Sequence, residues 1–303
     1  MSKQKVLVTG ATGFLGKHLI EYLINDGNEI YQTAKSTGDD LSIHSLDLID
    51  ANLIKEEIKK IKPSVIYHLG GLVNLSRDFE VAKKCLDINV KGTLNLLDAL
   101  RGYVPARLIF TSTEEVYGNI QIPYYENYLC FPPSPYAISK VASENLCNFY
   151  SQELGFSLII FRIGTMYGPK DSFSRFIPQI ITKALKNEDI PVNSGLKKRD
   201  YIYVGDAAKA LAIAENVKII NKSETVNIGG GVSYKLIDLV EIILNLTKSK
   251  SKILVGKLPE RITESSEWLL SNTKAKKILN WGPETPLAGG LKKTIEYYKS
   301  NLV

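Results

Sequence analysis

Cysteine is scarce: Cys85, Cys130 and Cys147 are the only three among 303 residues. Their odd number and lack of metal-ligand spacing exclude a disulfide framework and a zinc site, and no other metal site is expected. Scarce cysteine also fits a reducing cytoplasm, which is the expected location. No apolar run approaches the ~18 residues that would suggest a membrane span, so no membrane partner is expected. The chain opens MSKQKVLVTG, with strand-like residues almost at once, so no signal peptide is expected. No dense basic block accompanies the formal charge of +6, which argues against nucleic acid and suits phosphorylated small molecules. Internal repeats and low-complexity stretches are also missing.

What remains is an ordinary globular composition, 44% hydrophobic and 23% charged. The length suffices for one α/β core and a smaller lobe. Strand-like runs at 5–9, 29–34, 42–46, 64–69, 107–111 and 157–162 alternate with helical patterns at 15–23, 51–61, 79–100 and 135–154. That alternation predicts a Rossmann-type, doubly wound parallel sheet. After Arg162 the pattern turns irregular, with Tyr167-Gly168-Pro169 as a breaker and loops around 191–200 and 256–266. A strand at 225–228 is expected to rejoin the sheet. The predicted division is a dinucleotide-binding domain of 1–165 with 201–229, and a discontinuous substrate lobe of 166–200 with 230–303.

The first strand runs into Thr9-Gly10-Ala11-Thr12-Gly13-Phe14-Leu15-Gly16. Gly10 permits a tight turn, Gly13 lets backbone approach a pyrophosphate, and Gly16 lets helix pack against strand. The helix N-terminus then offers N–H groups and partial positive charge to the phosphates. A glycine run alone also serves as punctuation; strand before and helix after make it a cofactor turn. An NAD enzyme commonly ends its second strand in an acidic residue that grips the ribose 2′-hydroxyl. Here that end reads Ala34-Lys35-Ser36. Lys35 can pair with a 2′-phosphate or stand as a solvated surface lysine. NADP(H) is therefore the preferred cofactor, with NAD(H) possible.

Further on, Thr111-Ser112-Thr113-Glu114-Glu115 closes a strand, and Ser134-Pro135-Tyr136-Ala137-Ile138-Ser139-Lys140 opens a helix. Tyr136 and Lys140 stand four residues apart, on one helix face. An ammonium beside a phenol is expected to lower the phenol pKa and ready it for proton exchange.

With these pieces on the page, the sequence resembles the extended short-chain dehydrogenase/reductases, the nucleotide-sugar epimerase, dehydratase and reductase family, over essentially its whole length. The resemblance rests on TGATGFLG, Asp47-Leu48, His68-Leu69-Gly70-Gly71, Asn89-Val90-Lys91-Gly92-Thr93, the threonine–glutamate tract, YAISK, and RDYIYVGD from Arg199 to Asp206. It implies that Thr113 holds the reacting sugar oxygen, that Tyr136 is the acid/base, and that Lys140 tunes it and holds the nicotinamide ribose. It places Phe14, Leu15, Leu69, Gly70, Asn89 and Thr111 along the cofactor, and Asp47 and Leu48 at the adenine. Asn89 has an equal alternative as a helix-interior amide bonded to backbone. Arg199, Arg261 and Glu264 match positions that hold the nucleotide diphosphate and its ribose, for which a guanidinium fork is suited. One departure stands out, Thr165 where the family commonly has a substrate-contacting asparagine.

Glu114 and Glu115 resemble the acid and base of 4,6-dehydratases, with Glu114 at the substrate and Glu115 as base, although 4-keto reductases carry a similar tract. The missing acid after the second strand and the short segment from Ala34 to Asp47 look more like the reductase branch. The expectation is therefore NADPH-dependent reduction of a nucleotide-linked 4-keto-6-deoxy sugar, most like the GDP-6-deoxy-4-keto-mannose reductases. A 4-epimerase, 4-dehydrogenase or 4,6-dehydratase with bound NAD is the alternative, and a non-catalytic dinucleotide sensor is the alternative of another class. Helices at 79–100 and 135–154 resemble those of the family's dimer, so a homodimer is expected.

Overall fold

The computed structural model describes residues 4–36, 42–260 and 265–301. Its centre is a sheet in the order β10-β6-β5-β4-β1-β2-β3, every neighbouring pair parallel. These strands are β1 (Lys5–Thr9), β2 (Glu29–Ala34), β3 (Ile43–Ser45), β4 (Val65–His68), β5 (Arg107–Thr113), β6 (Ser157–Ile163) and, after three strands of the lobe, β10 (Ser223–Ile228). The remaining strands are β7 (Thr165–Tyr167), β8 (Ile190–Pro191), β9 (Lys198–Tyr203), β11 (Ser233–Lys235) and β12 (Ile253–Leu254). Parallel neighbours need crossover helices, and both faces of the sheet are covered. On one face α1 (Phe14–Asn25) and α7 (Val204–Ile213) bury Leu15, Leu19, Leu23, Ala207 and Leu211 against Val6 and Val8. On the other, α2 (Ala51–Ile61), α4 (Gly92–Ala99) and α5 (Pro135–Leu154) bury Ile54, Ile58, Leu96, Leu97 and Cys147 against Leu7, Ile66 and Leu108.

Local sequence sets most boundaries. Asp50 caps α2 by accepting from Asn52 N and Leu53 N. Ser134 caps α5 through Ala137 N at 3.1 Å, Pro135 fills the first turn, and Gly155 ends the helix in the left-handed region. The helix expected at 79–100 is instead α3 (Phe79–Cys85), a π-helical stretch Leu86–Lys91, and α4. Its widened turn coincides with an Asn89 carbonyl that accepts the hydroxyls of Thr93 and Ser143, at 2.5 and 3.0 Å.

Beyond Ile163 the chain is more regular than its sequence suggested. The loop expected around 191–200 gives way to β9, because Arg199, Asp200, Tyr201 and Ile202 are buried. Strands β7, β9 and β11 form a second sheet, and β8 pairs with β12. Helices α6 (Phe176–Lys186), α8 (Leu236–Thr247) and α10 (Leu287–Asn301) enclose a separate core of Ile181, Ile190, Leu239, Ile243 and Leu291. The short α9 (Thr273–Leu279) packs on the edge strand β10.

Candidate active site

From β1 the chain passes to β2 on one side and β4 lies on the other, so the strand order reverses beside β1. Ligands of such sheets bind at the carboxyl ends of the strands at this switch. The glycine turn stands there. Gly10 has φ +72°, and a Cβ on it would lie 2.8 Å from Gly70 N. A Cβ on Gly16 would lie 2.4 Å from Gly10 O, which only a glycine avoids. Gly13 is the N-cap of α1, with Phe14 and Leu15 in its first turn. Backbone brought this close, with helix N–H groups facing outward, fits a pyrophosphate.

The wall opposite is built from the other cofactor candidates. Leu48 is buried between the loops, its Cδ1 2.9 Å from where a Gly70 Cβ would stand. Leu69 is half-buried against the core under α1. Asn89 donates to Leu72 O (3.0 Å) and Ser139 Oγ (2.9 Å) and accepts from Leu72 N (2.7 Å). Its amide thus clamps the loop after β4 to α5.

Lys35 is exposed to solvent and carries a carboxylate partner. Its Nζ lies 2.9 Å from Asp47 Oδ2, and that ion pair holds the Asp47 carboxyl below its usual range, helped by Ile49 N. A 2′-phosphate would meet a lysine already neutralised and a carboxylate beside it.

Thr113 is the last residue of β5, two beyond the expected strand end. Its hydroxyl accepts from Glu115 N at 3.3 Å and lies near enough to the Tyr136 phenol to favour the ionised form. Tyr136 lies in the first turn of α5 and is 6% exposed. Burial first, and the Glu115 charge second, push its phenol above the usual range, with the Arg175 charge and the Thr113 hydroxyl opposing. This corrects the expected lowering by Lys140. The ammonium instead donates to Thr111 O at 2.6 Å and sits 4.6 Å from the Phe110 ring centroid. Burial brings Lys140 down to about 8.

Beside this group lie the two glutamates. Glu114 is buried, accepts from Thr165 Oγ1 at 2.7 Å, and is pushed well up by burial and the nearby Asp200. Thr165 therefore addresses a carboxyl on the protein. Glu115 Oε1 lies 3.7 Å from Arg77 Nη2. Arg199 is buried, donates to Lys198 O, and lies 4.1 Å from the Trp268 ring centroid. Arg261 and Glu264 lie outside the described residues.

Two charged residues at this end escaped the sequence reading. Arg77 sits in the loop after β4, and its Nε and Nη2 are buried without a hydrogen-bond partner among the described residues. Arg175 precedes α6 and its charge reaches Tyr136. Neither belongs to a periodic segment, and only the folded loops bring them here.

Comparison with known proteins identifies the family. A model described as the NAD dependent epimerase/dehydratase family matches residues 6–229. A putative UDP-glucose 4-epimerase of Methanocaldococcus jannaschii is 32% identical over 98% of this chain and 99% of its own. The dTDP-glucose 4,6-dehydratase 1 of Escherichia coli is 28% identical over 98% of this chain and 93% of its own. The structure of Thermus thermophilus UDP-glucose 4-epimerase in complex with NAD superimposes with TM-score 0.89 at 25% identity, covering 97% of this chain and 99% of that one. The chain belongs to the NAD dependent epimerase/dehydratase family and is a dinucleotide-dependent oxidoreductase. The expected preference for NADP(H) is corrected to NAD. The structural relative carries NAD, and a 2′-phosphate beside Lys35 would meet the Asp47 carboxylate as well. The comparisons do not single out the 4-keto reductases.

Proposed function

We propose that this chain interconverts nucleotide-linked hexoses epimeric at C4, holding NAD through the whole cycle so that none is consumed. This replaces the expected reductase with its NAD-bound alternative. The observation that carries the reading is Tyr136, buried in the first turn of α5 with the Thr113 hydroxyl near enough to favour its ionised form. When bound, NAD supplies the hydride acceptor at the carbinol carbon and the donor for the return.

The protein's part is proton handling and orientation. Thr113 and Tyr136 converge on one oxygen of the sugar, and the phenol oxygen takes its proton as the carbinol becomes a carbonyl. A phenol pushed up by burial is a strong base once ionised, so a cation nearby is needed to make that form accessible. The resemblance assigns that charge to Lys140, one helical turn on, whose ammonium is present below about pH 8. The resemblance assigns Arg199 to the diphosphate, for which a guanidinium fork is suited.

Glu114 and Glu115 favour a second reading, 4,6-dehydration of the same substrate class. Glu114, buried with a raised pKa, suits an acid for a departing hydroxyl. Incubation with UDP- and dTDP-hexoses, followed by NMR of the products, separates the two. A C4 epimer supports the first reading and a 4-keto-6-deoxy sugar the second. Tyr136→Phe should lower either activity at least ~100-fold. Unchanged turnover in that variant would sink both.

A further inference from the structure

His68 ends β4 with its ring fully buried, and no step above uses it. Its neighbours nevertheless fix every proton around it. The Asn89 carbonyl can only accept, so the Thr93 hydroxyl gives its one proton there, at 2.5 Å. Thr93 Oγ1 must then accept from His68 Nε2, 3.0 Å away. Burial, with the Lys140 charge, brings the imidazole down to about 3, so it carries one proton only, and Nε2 has it. His68 Nδ1 is left as an acceptor for Thr9 Oγ1 at 2.8 Å. Thr9 Oγ1 in turn accepts from Gly70 N at 3.1 Å.

The ends of this chain of bonds lie in the two halves of the site. Thr9 precedes Gly10, and Gly70 packs against it, so one end is the glycine cradle. At the other end Asn89 holds Ser139, between Tyr136 and Lys140 on α5. The same Asn89 carbonyl takes Ser143, a turn further along α5.

We propose that His68 is a positioning residue: as a neutral Nε2–H imidazole it sets the separation between the cofactor cradle and the helix carrying Tyr136 and Lys140. The proposal rests on the reading of the site as an NAD site. It differs from plain packing because the two ring nitrogens serve different halves. Asparagine can reproduce the Nδ1 acceptor toward Thr9 and not the Nε2 donor, whereas glutamine can reproduce the donor toward Thr93.

The test uses the full chain with both variants and 15N-histidine NMR, in which the three histidines give a simple spectrum. His68 should show an Nε2–H tautomer that does not titrate between about pH 5 and 8. His68→Asn should retain NAD as wild type does and lose roughly tenfold in turnover, the size of one buried hydrogen bond. His68→Gln should bind NAD roughly tenfold more weakly and turn over nearly normally when NAD saturates it. An Nδ1–H or imidazolium form, or equal loss of both properties in both variants, overturns the proposal. So does the absence of any effect in either variant. Wild-type protein that binds no NAD contradicts the functional reading itself, whatever the tautomer.

Discussion

Lys35 and Asp47 close on each other at 2.9 Å, joining the end of β2 to the segment just past β3. The carboxylate missing after the second strand is thus supplied from beyond the next one. It pairs with the lysine that the sequence had offered to a 2′-phosphate. Lys35 is exposed and Asp47 partly exposed, so the pair adds little stability.

Removing the acid should relax the choice of cofactor. Asp47→Ala leaves Lys35 unpaired and is expected to shift the ratio of NAD to NADP affinity about tenfold toward NADP, roughly 1.4 kcal/mol. Titration of the cofactor-stripped protein with both dinucleotides checks this. An unchanged ratio would mean that the pair does not face the ribose.

Turnover should fall as pH rises through about 8, because Lys140 loses its proton there. Below that pH the ammonium is present and the rate is highest on this limb. Lys140→Arg cannot titrate in the range and should lose the limb while keeping residual activity. A kcat profile from about pH 6 to 10 on both proteins decides the matter. The same limb in the arginine variant would assign it to another group.

Much of this site was legible beforehand, and the physical reason is locality. The bounds of β1, β2, α2 and α5 agree with the sequence expectation, since apolar periodicity, the Asp50 and Ser134 caps and Gly155 all act within a turn or two. The glycine cradle is local in the same sense. What escaped is non-local: the Lys35–Asp47 pair, the π-helical stretch around Asn89, and Arg77 reaching Glu115 from another loop. The direction of the Tyr136 shift was also missed. Spacing put a lysine on its face, but burial and the Glu115 charge prevail.

Stability should depend heavily on one buried ion pair. Glu144 on α5 receives both Arg162 Nε (3.1 Å) and Nη2 (2.7 Å), with the guanidinium 4.8 Å from the Tyr117 ring centroid. Glu144→Ala would leave that cation buried and uncompensated, at a cost of about 3–5 kcal/mol in urea unfolding. Loss below ~1 kcal/mol would show that water or a local shift solvates Arg162.

Association should run through the helices next to the site. Phe79 and Leu86 are exposed seven positions apart, and Ile138 and Phe149 are exposed eleven apart on α5, so each pair shares a helix face. Light scattering is expected to give a dimer, and the double substitution Phe79→Asp with Phe149→Asp a monomer. A wild-type monomer at micromolar concentration would exclude this surface as a dimer face.

The central claim is that NAD stays on the protein and that its hydride returns to the sugar. The direct measurement is the cofactor content of freshly purified protein, followed by absorbance of the bound nicotinamide while nucleotide hexoses are added. The account predicts retained NAD, a reduced fraction that never exceeds the enzyme concentration, and a sugar product formed over many turnovers without added dinucleotide. Steady, stoichiometric oxidation of externally supplied NADPH or NADH would contradict it.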